Sequence, residues 1–242
     1  MPLNRRQFIQ LSLGAAAVAT LPGCGIGGDS ESSGSGAKKG GTLRIGAVGS
    51  ASNIVTDPHG TIPNDSDFFK MQLMFDALTV PTTGDTNVAP RLVADWESDD
   101  ELRVWRFNLP EGATFHDGSE LTAEDVEWSV RRLFETGGPT RVPVNAVGDI
   151  NADGNALVLT TPAPNSIVPL LVRLQTMTVR AGTTDFDKAV GTGPFKLESF
   201  SNGNSRLVRN DAWHHAPPLL DAVEITRFDS VAALSNAVLS GQ

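Results

Sequence analysis

The sequence predicts an α/β or α+β fold set behind an export leader. Apolar runs with a period of two, such as residues 102–109 (LRVWRFNL), interleave with runs of helical period, such as Val126, Val130, Leu133 and Phe134. The folded part begins after residues 25–40 (GIGGDSESSGSGAKKG), a Gly/Ser-rich stretch with too little apolar surface to fold, which reads as a flexible tether. A chain of 242 residues can bury a sizeable core in one or two domains.

Charge and cysteine content narrow the function classes. The net charge is −9, with no basic run beyond Arg5-Arg6 and Lys38-Lys39, which argues against nucleic acid as a partner. Cys24 is the only cysteine, so no internal disulfide forms.

Residues 1–24 read as an address. Asn4-Arg5-Arg6-Gln7-Phe8-Ile9-Gln10 precedes a short apolar run at 11–21, then Leu21-Pro22-Gly23-Cys24. A basic start, a short apolar core and a small-residue site make a signal peptide, and the run is too short to span a bilayer. The paired arginines resemble the twin-arginine export signal, with Asn4 and Gln10 departing from it, and the general secretion pathway stays open. Leu21-Pro22-Gly23-Cys24 resembles a bacterial lipobox, which makes Cys24 the expected lipidation site.

From residue 42 the elements follow in order. Residues 42–48 (TLRIGAV) form a strand, and 50–64 a loop containing Asp57-Pro58-His59 and Pro63. Ser66 or Asp67 caps a helix through Leu78 with Phe68, Met71, Phe75 and Leu78 on one face. A polar turn at 81–87 leads on to the alternating strand 102–109, and Asp99-Asp100-Glu101 reads as a hydrated turn. Residues 115–133 (FHDGSELTAEDVEWSVRRL) combine an Asp117-Gly118 turn, a Thr122 N-cap answered by Asp125, and an amphipathic helix to about Glu135. After a Gly/Pro-rich loop at 136–143 come a strand at 155–161, a helix at about 166–175 and a short strand at 177–180. A hairpin at 191–209, a strand within 220–228 and a helix with Val231, Leu234 and Val238 on one face complete the pattern.

No catalytic constellation stands out, so an enzyme is not expected. His59, His116, His214 and His215 are the only imidazoles and read as solvated or turn residues. The adjacent pair His214-His215 faces opposite ways on a strand and diverges on a helix, and no spacing matches a metal motif. Gly191-Thr192-Gly193-Pro194 lacks the rest of a nucleotide-binding motif and reads as a strand-entry turn, while Trp96, Trp105, Trp128 and Trp213 read as core. Neither cofactor nor metal is expected.

An ordered set of blocks resembles the extracellular solute-binding proteins of family 5, the peptide/nickel class that serves ATP-driven (ABC) importers. Gly41-Thr42-Leu43-Arg44-Ile45 with Asp57-Pro58-His59 resembles the first strand and its LDPH element, with Thr56 in place of Leu. Phe75-Asp76-Ala77-Leu78 resembles FEGL, and residues 89–97 resemble PxLAxxWE. The strongest blocks are 105–109 and Phe115-His116-Asp117-Gly118 running into Thr122-Ala123-Glu124-Asp125-Val126, followed by Gly191-Thr192-Gly193-Pro194-Phe195 and Leu220-Asp221.

The resemblance implies a periplasmic-binding-protein-like α/β fold of type II, two lobes that close on ligand, with an extra subdomain in the first lobe. Residues 41–75 and 185–242 are expected in the first lobe and 76–184 in the subdomain. Family members run to about twice this length, so the second lobe is expected to be absent, the chain a fragment, and its binding alone weak. The FHDG block is expected to be structural. Ligand contacts are expected at Ile62 and Asn64 after the first strand and at Arg141 and Val142 after the central helix, with Arg141 able to fork onto a carboxylate. The implied function is a lipid-anchored, monomeric receptor on the outer face of the cytoplasmic membrane, or periplasmic, that passes oligo- or dipeptides to permease subunits. A nickel-chelate or other solute receptor, or a sensory or adhesive lipoprotein, is the alternative.

Overall fold

The structure, a computed structural model, describes residues 38–83, 88–136, 147–173, 176–188 and 190–241. Cys24, Arg141 and Val142 therefore lie outside the described residues, as do the leader and most of the tether.

Two sheets organise the fold. The first has the order β1 (Thr42–Val48), β10 (Ala222–Phe228), β9 (Asn204–Arg209), β8 (Phe195–Ser201). β1 and β10 run parallel in register from Thr42↔Ala222 to Val48↔Phe228, and the other pairs are antiparallel. The second sheet, β4 (Asp95–Ser98), β5 (Val104–Asn108), β7 (Ala156–Thr160), β6 (Ile150–Asp153), is wholly antiparallel. β2 (Thr79–Pro81) and β3 (Val88–Pro90) form a separate ribbon.

Each sheet has its own core. Phe107, Phe115, Leu157 and Leu159, with Val126 and Val130, centre one core drawn from residues 78–172. Met71, Met177, Leu207 and Ile225 centre the other, drawn from 47–75 and 177–225. Helix α2 (Ala123–Thr136) serves both: Val126 and Val130 enter the first core, while Trp128 on the same helix packs against the second. The cap of α2 forms as its sequence requires. Asp125 Oδ2 accepts from Thr122 N at 3.0 Å, and Thr122 Oγ1 accepts from Asp125 N at 3.3 Å. Gly118 takes a φ of 83°, which the Asp117-Gly118 turn needs.

Several expectations are corrected. Helix α1 spans Asp65–Met74 from an Asn64 N-cap and does not reach Leu78. It stops because Asp76 and Leu78 give their amides to the hydroxyls of Thr192 and Thr176 instead of to a next helical turn. Its buried positions are Ser66, Asp67, Lys70, Met71 and Met74, so the inward face carries an ion pair and Phe68 stays half-buried. Residues 177–180 join no strand: Thr178 N donates to Asp76 O, and Val179 bonds the Ser129 hydroxyl through both N and O. The expected helix over 166–175 shrinks to α3 (Val168–Leu171). β2, β3, β4 and β6 are additional to the expected strands. On α4 (Val231–Leu239), Val231 and Val238 are 68% and 66% exposed, and the helix packs inward through Leu234 and Ala237. Among the described residues no helix is long and apolar enough to cross a membrane.

Candidate ligand-binding face

In an open sheet with parallel strands, ligands sit outside the carboxyl ends of those strands. Here those ends are Val48 and Phe228, and the chain leaving β1 forms the loop that carries Ile62 and Asn64. Every fixed point of that loop is traceable to a named side chain.

The first fixed point is the Asp57-Pro58-His59 turn, where Asp57 Oδ1 accepts from His59 N at 3.0 Å. Arg132 of α2 forks onto the Asp57 carboxylate at 2.7 and 2.6 Å, and the same Nη1 donates to His59 Nδ1 at 3.0 Å. His59 Nε2 lies 2.6 Å from Met177 O. A carbonyl oxygen only accepts, so Nε2 carries the hydrogen and Nδ1 is the bare acceptor for Arg132. The imidazole is thus neutral, and burial, with the nearby guanidinium, pushes it down to about 4 against the pull of the Met177 carbonyl. Burial raises Asp57, but the Arg132 fork and the His59 amide outweigh it and hold the carboxyl below its ordinary range. His59 stands in a turn, as one of the two expectations for it had it, but it is fully buried and not solvated.

The second fixed point is Asn64. Its Oδ1 accepts from Ser50 N at 3.0 Å, and its Nδ2 donates to Asn53 O at 2.5 Å and Asp67 Oδ2 at 2.8 Å. Asp67 also accepts from Val55 N at 3.0 Å and from Lys70 Nζ at 3.2 Å. Burial lowers the Lys70 ammonium against the opposing pull of Asp67. This chain of three α1-side residues ties the 50–55 segment to the helix. Beside it lies a cleft of about 350 Å³ lined by Lys70, Met71, Met74, Phe186, Leu197 and Phe200, with Lys70 Nζ 4.1 Å from the centre of the Phe200 ring. Its walls are mostly apolar, with Thr56, Lys70 and Asp187 as the polar members of the lining.

The third fixed point is Arg227 at the end of β10. It donates to Gly49 O at 3.1 Å and Asn202 O at 2.8 Å, and pairs with Asp229. Gly49 sits under Ser66, whose Oγ would lie 2.4 Å from a Cβ at that position.

Of the expected contact residues, Ile62 is half-buried against the second core and Asn64 is buried with its amide engaged as above. Arg132, Lys70 and Arg227 were not singled out in the sequence. Nothing local marks Arg132, whose partner Asp57 is 75 positions away in sequence. The FHDG stretch is internally bonded: Ser119 N and Oγ donate to Asp117 Oδ1, Arg180 reaches Asp117 Oδ2 at 2.8 Å, and His116 Nε2 lies 3.0 Å from Gly193 O. Hydrogen bonds from Arg180 and Ser119 hold the Asp117 carboxyl far below its usual range.

The family described as "Bacterial extracellular solute-binding proteins, family 5 Middle" matches residues 87–242, more than half of the chain. A Bacillus subtilis (strain 168) protein, YhjP, is 29% identical over 153 residues, covering 62% of this chain and 26% of its own. The "Probable D,D-dipeptide-binding periplasmic protein DdpA" of Escherichia coli (strain K12) is 27% identical over 184 residues, covering 66% of this chain and 34% of its own. The crystal structure of a nickel ABC transporter protein from Bacillus halodurans superposes with a TM-score of 0.67 at 29% identity, over 85% of this chain and 42% of that one. The chain thus spans less than half the length of each of these relatives.

Proposed function

Because the chain belongs to the bacterial extracellular solute-binding proteins of family 5, we propose that it supplies the ligand-receiving first lobe of an ABC importer's receptor, with short peptides as the cargo. The match over residues 87–242 carries this reading. Support comes from the 57–64 loop, which is pinned beside the carboxyl ends of a parallel strand pair by Arg132, His59 and Asn64. Ile62, Asn64, Arg141 and Val142 are the proposed contacts. Asn64 acts through the loop it holds, since its own amide is engaged. Residues 41–75 and 185–242 are proposed as the main lobe and 76–184 as its subdomain, a division the two cores support except that Met177 and Val179 pack in the main-lobe core.

A peptide cargo draws on the dipeptide-binding name of the Escherichia coli relative. A metal chelate is the second reading, favoured by the likeness to the nickel transporter protein. Native mass spectrometry of the protein recovered from its own cell envelope separates them. Peptide-sized mass additions are expected; a metal-containing addition selects the second reading, and a ligand-free mass under all conditions overturns both. Cys24 is proposed as a lipid anchor that holds the receptor, as a monomer, near its permease. Palmitate-analogue labelling should mark the wild type and leave Cys24→Ala unmarked.

A further inference from the structure

The edge strand β8 carries a bulge that shapes the cleft beside α1. Leu197 pairs with Leu207, but Ser199 and Phe200 pair with Arg206 and Ser205, so Glu198 is the extra residue. Three positions apart, Leu197 and Phe200 would face opposite sides of a regular strand. The bulge brings both to the α1 side, the face of the buried Leu207 and Ser205, while Glu198 pairs with Arg206 at 2.6 Å. Leu197 and Phe200 line the cleft of about 350 Å³ together with Met71 and Met74 of α1 and with Phe186, whose ring centre lies 4.3 Å from Arg132 Cζ. β8 is antiparallel to β9, and β9 to β10, so β8 runs in the direction of β1 and β10. Phe200 therefore stands at the carboxyl end of its strand, and Ile54 and Thr56 bring the loop leaving β1 into the same lining. The cleft thus reaches the end of the sheet where ligands sit in such folds.

We propose that this cleft is a specificity pocket of the receptor and takes one bulky, uncharged apolar side chain of the cargo peptide. The inference rests on the receptor reading above and narrows its cargo to peptides with an aromatic or large aliphatic residue. The volume lies at the low end of the range for ligand pockets, about 300–1,000 Å³, which suits one residue and not a whole peptide. Met71 and Met74 give walls that adapt to rings and branched chains alike. Lys70, the one cation in the lining, has no hydrogen left to offer: its ammonium meets Asp67 Oδ1 at 3.2 Å, Val55 O at 3.3 Å and the Phe200 ring centre at 4.1 Å. An acidic side chain would find no free donor there and would meet the exposed Asp187 carboxylate on the lining.

The test uses the full chain and three probes, the N-acetyl α-amides of phenylalanine, alanine and glutamate, titrated by saturation-transfer nuclear magnetic resonance. The phenylalanine amide should bind saturably and about tenfold or more tighter than the alanine amide, as burial of one aromatic side chain gives, and the glutamate amide should not bind. Leu197→Glu places a charge in the wall at a partly exposed position, so the fold, checked by circular dichroism, should survive while binding of the phenylalanine amide is lost. Leu219→Glu, also partly exposed and outside the lining, should leave that binding unchanged. Equal affinity for the phenylalanine and alanine amides, or unchanged binding in folded Leu197→Glu, overturns the pocket. Either result beside peptide-sized masses in the native spectrum removes the pocket and leaves the receptor reading. A bound phenylalanine amide beside a ligand-free native spectrum overturns the peptide cargo for both.

Discussion

At the scale of single residues, His59 shows how burial turns an ordinary side chain into a pH-dependent brace. Its neutral form donates to Met177 O and accepts from Arg132, so protonation removes the acceptor and sets a second cation beside the guanidinium. The folded value is about 4 against 6.5 in a free chain. Between those limits the unfolded state holds more protons, so stability is complete above about pH 6.5 and is lost as pH falls toward 4, by about 3 kcal/mol in total. Asp57, also lowered, adds its loss only below its unfolded value near 4. His116 and His214 are lowered by burial as well, so their contributions are also lost as pH falls below the unfolded value near 6.5. His59→Gln therefore provides the readout. Its amide can keep both hydrogen bonds, and urea midpoints at pH 7 and pH 5 should differ less in the variant than in the wild type. Equal differences would remove His59 from the account. The sequence made Asp57-Pro58 legible as a turn, but nothing local marks His59 as interior, because Arg132 and Met177 arrive from distant positions.

At the scale of elements, legibility tracks whether an element's bonds are local. Helix α2 was readable to its cap because Thr122 and Asp125 satisfy one another and Val126 and Val130 share its buried face. Helix α1 departs from its expected face because its inward side carries Asp67 and Lys70, which hydrophobic periodicity counts as outward. Residues 177–180 were misread as a strand because apolar extended backbone can also be held by side-chain hydroxyls, here that of Ser129. The short strand β4 is mostly exposed, so its sequence, DWES, lacks the buried alternation that announces β5. The α2 cap yields a graded prediction. Thr122→Ala should cost about 1 kcal/mol, the usual loss of an N-cap. Asp125→Ala should cost about 1–2 kcal/mol more, because Asp125 Oδ1 also accepts from Ala181 N at 2.8 Å, leaving that amide unpaired. Thermal or urea unfolding of both variants checks the order, and a Thr122→Ala cost equal to or above that of Asp125→Ala would contradict it.

At the scale of the whole molecule, the question is what joins the two cores. Ser129 ties α2 to Val179, Arg132 ties it to Asp57, and the segment 191–194 threads between α1 and the FHDG turn. In that segment Gly193 N donates to Met74 O at 2.9 Å, His116 N donates to Gly191 O at 2.8 Å, and Asn210 N donates to Pro194 O at 2.9 Å. The Gly-Thr-Gly-Pro string was legible as a turn before a strand, but not its reason. A Cβ on Gly191 would sit 1.9 Å from Met74 O, a backbone atom that cannot swing aside. Only glycine lets the two chains pass. Gly191→Ala must therefore separate α1 from the 115–118 turn, at a cost of about 3 kcal/mol, the upper end for overpacking. The loss falls on the junction and not on either core, so the variant should also become less cooperative. In a background that keeps Trp105, inside the first core, as its only tryptophan, emission and far-ultraviolet circular dichroism should give coincident urea transitions, and separated ones once Gly191→Ala is added. Coincident transitions at an unchanged midpoint would mean that the junction yields freely, and that the two cores are coupled through α2 alone.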